Sequence, residues 1–424
     1  MNDDLLVIRK SLAAVCGDTR DGVEADVGPG AGIVPAFVVA PESTDEAAAV
    51  MRVAAEHELA VVARGAGSQL GWGAPPTRCD LLIDLSRMTA VVEHSAGDLV
   101  ARIQAGARLA DVAAVLAGAG QEIALDVPGE ATIGGVVATG LAGPRRLRYG
   151  TPRDLLIGIT IVRADGTVAR AGGKVVKNVA GYDLGKLLAG SAGTLALITE
   201  ATFRLHPLPA AKAYVTAEYG ATGVACDAVA AAANSPLVAS AVELSRPEPG
   251  GAIRIGVLIE GSADGVAARA MRMAGLLGPA ETSPALPPWW RGAPAAEGGT
   301  LVRVSCWVSA LPRVLDAIDA AARDTGVSPA VSGSAGAGVL YLHLDGGVSF
   351  KGSAIAGFVL ALRAGLAGER GGVVVLAAPG PVRAALAAGD GMAGSVPALA
   401  LMRAVKDQFD PGHRMAPGRF PDAM

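Results

Sequence analysis

The run from Arg64 to Pro76 (RGAGSQLGWGAPP) has what a diphosphate asks of a protein. Several backbone N–H groups must converge on the phosphate oxygens, and small residues must let the chain come close. Gly65, Ala66, Gly67, Ser68 and Gln69 meet that need, with Arg64 at their entrance. Alone, the loop reads equally well as an ordinary glycine-rich turn. A Rossmann reading competes, because Gly65-x-Gly67 follows a strand and Asp84 lies near the ribose-binding distance. Such a loop must open directly into a helix, which Gly71, Gly73, Pro75 and Pro76 forbid. A second bare stretch begins at Asp126 (DVPGEATIGGVVATGLAG), with Pro128, Thr132, Gly135 and Thr139. A third begins at Lys177 (KNVAGYDLGKLLAGSAGTLALITEATFRLHP). Each is weak by itself; their order and spacing make the signal specific.

Other chemistry-bearing residues are sparse. Of five histidines, His57 and His94 read as surface positions, His206 as a structural residue before Pro207, and His413 as an exposed turn residue. His343 with Asp345 reads as a strand end entering a hairpin rather than as a metal site. Glu243, on the strand ASAVELS, reads as a solvated strand-end carboxylate, with a flavin-facing position in the cap as the alternative. Cys16, Cys79, Cys226 and Cys306 are far apart, which disfavours a disulfide framework and an iron–sulfur ligand set.

The elements that must hold these loops follow from pattern. AFVVAPESTDEAAAVMRVAAEHELAVVARG reads as strand, helix and strand, the helix capped by Ser43 or Thr44 with Glu46 in its first turn. ITIVRADGTVARA reads as a hairpin about Asp165-Gly166, followed by a helix over GYDLGKLLAGS and a strand to Leu208. His206-Pro207-Leu208-Pro209 marks a boundary. Beyond it the order β-α-β-β-α occurs twice, which predicts two ferredoxin-like halves pairing into one antiparallel sheet with helices on one face. Between the halves, ALPPWWRGAPAAEGG is Pro- and Gly-rich and predicts a surface loop.

Taken together, the three glycine-bearing elements resemble the FAD-binding domain of the vanillyl-alcohol oxidase / p-cresol methylhydroxylase (PCMH) family, and within it the D-lactate and glycolate dehydrogenase branch. The string GGKVVKNVAGYDLGKLLAGSAGTLALITEATFRLHPLP carries the likeness furthest, and FDPGHRMAPGR resembles the family's ending. The resemblance implies an α+β fold. A PCMH-type FAD-binding domain would span residues 1–208, a cap domain 209–394, and a segment returning to the FAD domain 395–424. It implies that Gly65–Gln69, with Arg64, hold the pyrophosphate. Pro128, Thr132, Gly135 and Thr139 would line the flavin and its ribityl chain, Tyr149-Gly150 would sit against the cofactor, and the backbone of Ile198 would read the adenine edge. Tyr149 and Ile198 also read simply as core residues.

Covalent relatives place a His at the fifth position of the first loop. Here that position is Ser68, which implies non-covalent FAD. Catalytic members of the branch carry His-x-Gly-Asp-Gly-Asn-x-His, whose second His position is Phe350 here, so no metal is assigned and no catalytic base is named. Ala416 stands where the family has an Asn. The resemblance therefore implies the smaller FAD subunit of a glycolate-type (D-2-hydroxy acid) oxidase complex. Its partners would be a catalytic FAD subunit and an iron–sulfur subunit, and its location the cytoplasm, reaching the inner membrane face only through partners. The alternative is a stand-alone FAD oxidoreductase acting on another alcohol or hydroxy acid; a vestigial, non-catalytic flavin fold is the third reading.

Composition bounds these readings. The chain has 424 residues, 51% hydrophobic and 18% charged, enough for two cores. A net charge of -4 with no basic block disfavours nucleic acid and anionic membrane as partners. The acidic N-terminus has no apolar signal core, and no apolar run approaches the roughly 20 residues that span a bilayer.

Overall fold

A computed structural model describes residues 3–23, 26, 33–173, 183–290, 298–344 and 352–419. Residues 174–182 of the third motif, part of the linker (291–297), and the Asp345–Phe350 run lie outside the described residues. The chain divides into two compact units. One comprises Met1–Leu141, Thr151–Leu208 and Val396–Met424; the other comprises Ala142–Gly150 and Pro209–Ser395.

In the first unit, a four-stranded sheet runs in the order Thr19–Asp21, Phe37–Val39, Leu81–Asp84, Val61–Arg64. The last three strands are parallel and the first is antiparallel to its neighbour. The helix Thr44–Glu56 forms as its cap and stripe predict: the Ser43 hydroxyl accepts from the Glu46 N–H at 3.1 Å, and Ala47, Val50, Met51 and Ala54 are buried. A second sheet, all antiparallel, has the order Val91–Ser95, Val100–Gln104, Leu197–Arg204, Leu156–Val162, Val168–Gly172. Its hairpin turns at Asp165-Gly166, with Gly166 at φ +80°. One apolar core joins both sheets through Met51, Ile83, Ile103, Val136 and Phe203.

Residues near the C-terminus complete this unit. The helix Leu399–Phe409 is largely exposed, apart from a fully buried Lys406. The Lys406 ammonium donates to the carbonyl of Thr194 (2.7 Å), the carboxylate of Asp410 (2.6 Å) and the carbonyl of Met415 (3.1 Å), which uses all three of its hydrogens. Asp410 in turn accepts from the N–H groups of Arg414 and Met415. Arg414 donates to the carbonyls of Ala54 and Ala164. Met415 then lies parallel to Val61, whose N–H and C=O bond Arg414 and Ala416. The tail thus adds a short extra strand at the Val61 edge.

The second unit is one antiparallel sheet of eight strands. Its halves read Ala211–Tyr219, helix Thr222–Ala233, Ala241–Arg246, Ile253–Gly261, helix Ala263–Leu277, and then Thr300–Cys306, helix Leu311–Thr325, Ala330–Gly333, Val339–Leu344, helix Gly352–Gly365, Gly371–Ala377. The twofold order predicted from the sequence is present. The halves meet where Ala241–Arg246 pairs with Ala330–Gly333. Alternate strand residues (Val242, Val257, Val302, Leu342) pack with Ile318 and Phe358 from the helices, so the other alternation occupies the opposite face, which carries none of the long helices.

Three expectations need correction. The helix read over GYDLGKLLAGS is described only as Gly185–Leu188, because Ala189 leaves helical backbone and Gly190 takes φ +85°. Glu243 is no solvated strand end: it is 4% exposed, within Ala241–Arg246. His94 is half-buried, with Nε2 2.9 Å from Gln121.

Candidate functional site

The glycine-rich loop leaves the strand Val61–Arg64 and reaches Leu81–Asp84 without forming a helix on the way. That removes the Rossmann alternative, and Asp84 proves to be a structural anion. The Arg64 guanidinium lies 2.5 Å from Asp84 and 3.1 Å from Asp26, so it ties the loop's root to two carboxylates. Asp26 is buried, accepts a bidentate pair from Arg20, and sits well below the usual carboxylate range because of that pair. Sequence reading missed Asp26, since an isolated acid in an irregular stretch carries no spacing signal.

Past Arg64 the loop is built for close approach. Gly67 has φ +79°. A Cβ on Gly65 would lie 2.0 Å from the Thr132 hydroxyl, so the first and second elements touch at a point where no side chain fits. They meet again where the Thr139 hydroxyl, 2.7 Å from the Gly135 carbonyl, lies 3.2 Å from the Gln69 side-chain oxygen. Among the described residues, the N–H groups of Gly65 to Gln69 donate to no acceptor of the chain, whereas Leu70 closes onto the Gly67 carbonyl. Consecutive unspent donors on bare backbone suit a diphosphate.

The helix Ile133–Thr139 behaves differently. Its first N–H groups are already satisfied, Ile133 by Ala107, Gly134 by Ala105 and Gly135 by the Thr132 cap. The loop, and not this helix end, is the open set of donors. Pro128 turns the chain before it, its carbonyl accepting from Ala131. Ile198 is buried in Leu197–Arg204, opposite Ile161, just before a register irregularity. In this unit, then, the structure brings together Arg64, Gly65 to Gln69, Thr132, Gly135 and Thr139.

Tyr149 and Gly150 belong to the other unit. The segment Ala142–Gly150 includes the short helix Arg146–Tyr149 and lies on the face of the eight-stranded sheet that carries none of the long helices. Tyr149 Oη is 3.5 Å from Glu260, which pairs with Arg145 at 3.6 Å, and Arg145 and Arg148 both lie over the Tyr149 ring. Arg146 donates to the Tyr341 hydroxyl at 2.9 Å and to the carbonyls of Ala142 and Gly143.

Strand register lines up a polar row across this face: Glu218, Arg254, Ser245, Ser332, Tyr341 and Arg303 are successive cross-strand partners. Beside it, a cavity of about 430 Å³ is lined by Ser245, Arg254, Trp289, Ser332 and His343 among others. His343 Nε2 is 3.2 Å from the Ser332 hydroxyl. No cluster of three metal-ligating side chains occurs among the described residues. His413 sits at φ +49°, with Nε2 3.1 Å from Asp407. The row was visible only in part beforehand: Arg303 interrupts the apolar run LVRVSC, but which strands flank it requires the pairing.

The chain is similar to known proteins over the part that holds this loop. The family described as "FAD binding domain" matches residues 35–172. The glycolate oxidase subunit GlcD of Bacillus subtilis is 37% identical over 188 residues, 44% of this chain and 40% of that protein. The glycolate oxidase subunit GlcE of Escherichia coli is 40% identical over 154 residues, 36% of this chain and 43% of that protein. The chain thus spans about two fifths of the length of these curated relatives. Substrate-bound p-cresol methylhydroxylase shares the fold, with a TM-score of 0.74 at 16% identity, covering 99% of this chain and 97% of that one. The open-donor loop lies inside the matched residues: residues 35–172 match an FAD-binding domain, the fold is the α+β architecture seen in p-cresol methylhydroxylase, and the cofactor is FAD.

Proposed function

We propose that this chain is an FAD-binding subunit of a complex that oxidises a small D-2-hydroxy acid, glycolate being the first candidate, to the 2-oxo acid. Its partners are a catalytic FAD subunit and an iron–sulfur subunit. It works in the cytoplasm and meets the membrane's inner face only through them. Similarity to two different glycolate oxidase subunits is the observation that carries this reading.

In this reading the N–H groups of Gly65 to Gln69 hold the pyrophosphate, and Arg64 fixes their root. Pro128, Thr132, Gly135 and Thr139 line the flavin and ribityl chain, Tyr149-Gly150 lies against the cofactor, and the Ile198 backbone meets the adenine. FAD, when bound, supplies an acceptor for the two electrons removed from the hydroxy acid, taken directly in the oxidation or relayed from the catalytic subunit. Ser68 offers no imidazole for a covalent link, so the flavin is dissociable: acid precipitation leaves all the yellow colour in the supernatant, and colour in the pellet contradicts this.

The polar row and cavity of the second unit favour one further reading, a stand-alone oxidoreductase with its own substrate site. Tagged chain recovered from its native cells separates the two. Co-recovery of two further chains with an iron–sulfur absorption shoulder supports the complex. A lone yellow chain that oxidises glycolate or D-lactate with an artificial acceptor, at about 1–1000 per second, supports the stand-alone enzyme.

A further inference from the structure

The charge balance around Arg303 is incomplete. Arg303 lies mid-strand in Thr300–Cys306, on the face without long helices, directly across from Tyr341. Its Nε is buried without a hydrogen-bond partner, and among the described residues its guanidinium has neither a hydrogen bond nor an ion pair. Burial, and the Arg146 charge acting on it, hold its pKa below the usual arginine value, while Tyr341 acts the other way. Arg146 has no carboxylate partner among the described residues either. It is held by two carbonyls and the Tyr341 hydroxyl. Tyr341 is 7% exposed and, while accepting from Arg146, keeps its own O–H to donate. The nearby Arg145 is matched by Glu260. Two half-buried guanidiniums and a buried phenol therefore lie together, and among the described residues no carboxylate bonds Arg303, Arg146 or Tyr341.

A desolvated cation without a counter-charge is costly, and a planar guanidinium fork is shaped for an oxyanion. We propose that Arg303, Arg146 and Tyr341 form the binding site for the carboxylate of a small organic acid. Arg303 is the primary donor, and Arg146 is oriented by Ala142, Gly143 and Tyr341. The choice of a carboxylate over other oxyanions rests on the 2-hydroxy-acid reading; the existence of an anion site rests on the geometry alone.

The test uses the full FAD-loaded chain, with oxalate as an unreactive probe and inorganic phosphate and sulfate at equal ionic strength as controls. Oxalate should raise the melting temperature of the wild type, and Arg303→Met should weaken oxalate binding by calorimetry at least tenfold. Arg303→Met without ligand should melt no lower than wild type, because it removes an unpaired cation; a purely structural arginine would melt lower. If Arg303→Met does not fold, Tyr341→Phe, which keeps the ring, should weaken oxalate about fivefold. An equal oxalate response in the variant, none in the wild type, or an equal response to phosphate and sulfate overturns the proposal. Oxalate binding through Arg303 in a complex that leaves glycolate unoxidised keeps this site and removes the proposed function. Glycolate turnover indifferent to Arg303→Met does the reverse.

Discussion

Gly65 has no space for even a methyl group, because the Thr132 hydroxyl occupies the position a Cβ would take. Gly65→Ala must push the first and second glycine-bearing elements apart, at a cost of about 1–3 kcal/mol. The expected result is roughly a tenfold or greater loss of FAD affinity, read as the flavin-to-protein ratio after gel filtration, with little change in secondary structure. Asp26 makes a different prediction. Its carboxyl is depressed first by the Arg20 hydrogen bonds, then by the Val23 N–H and Arg64. A depressed carboxyl contributes stability that is fully present above its unfolded pKa of about 3.9 and is lost as pH falls toward its folded value. Asp26→Asn should therefore be less stable at pH 7, and the gap to wild type should close below about pH 4 in urea titrations. The loop's glycines could be found from sequence, because bare backbone next to a strand is a local pattern. Asp26 could not, since its role exists only once Arg20 and Arg64 converge on it.

Among the elements, the tail clasp shows what local pattern leaves out. The twofold β-α-β-β-α order of residues 211–377 could be read because each strand is a β-branched run bounded by glycine or by a helix stripe. Nothing in RMAPG announces that Met415 pairs beside Val61, because so short a strand has no periodicity of its own. The grouping of Ala142–Gly150 with the second unit was hidden in the same way, since its arginines find their partners on strands far along the chain. Lys406 sits on a largely exposed helix, yet it is buried with Asp410. Burial drags its pKa down while Asp410 pulls it back. Removing one partner strands the other, so Lys406→Met or Asp410→Ala should cost about 3–5 kcal/mol. Calorimetry should show this as a drop in one unfolding transition, whereas replacing both residues with apolar ones should recover much of the loss.

For the whole molecule, the buried side chains form two separate main cores, one in each unit, and the expected behaviour is two units that lose order separately. Removing residues 399–424 takes away Lys406, Arg414 and the strand at Met415. The expected outcome is faster amide hydrogen exchange through the sheet containing Val61–Arg64 and loss of bound FAD, with exchange in residues 211–377 unchanged. Uniformly faster exchange in both units would contradict this division. The clasp also has a consequence for how the molecule is made. Synthesis runs from the N-terminus, and the second unit is encoded between the body of the first and its closing segment. While residues 209–395 emerge, the Val61 strand waits with one edge unpaired, next to the glycine-rich loop. An open edge invites pairing with other chains, so the nascent protein is most vulnerable to aggregation while its second unit is being built, until the segment around Met415 closes that edge.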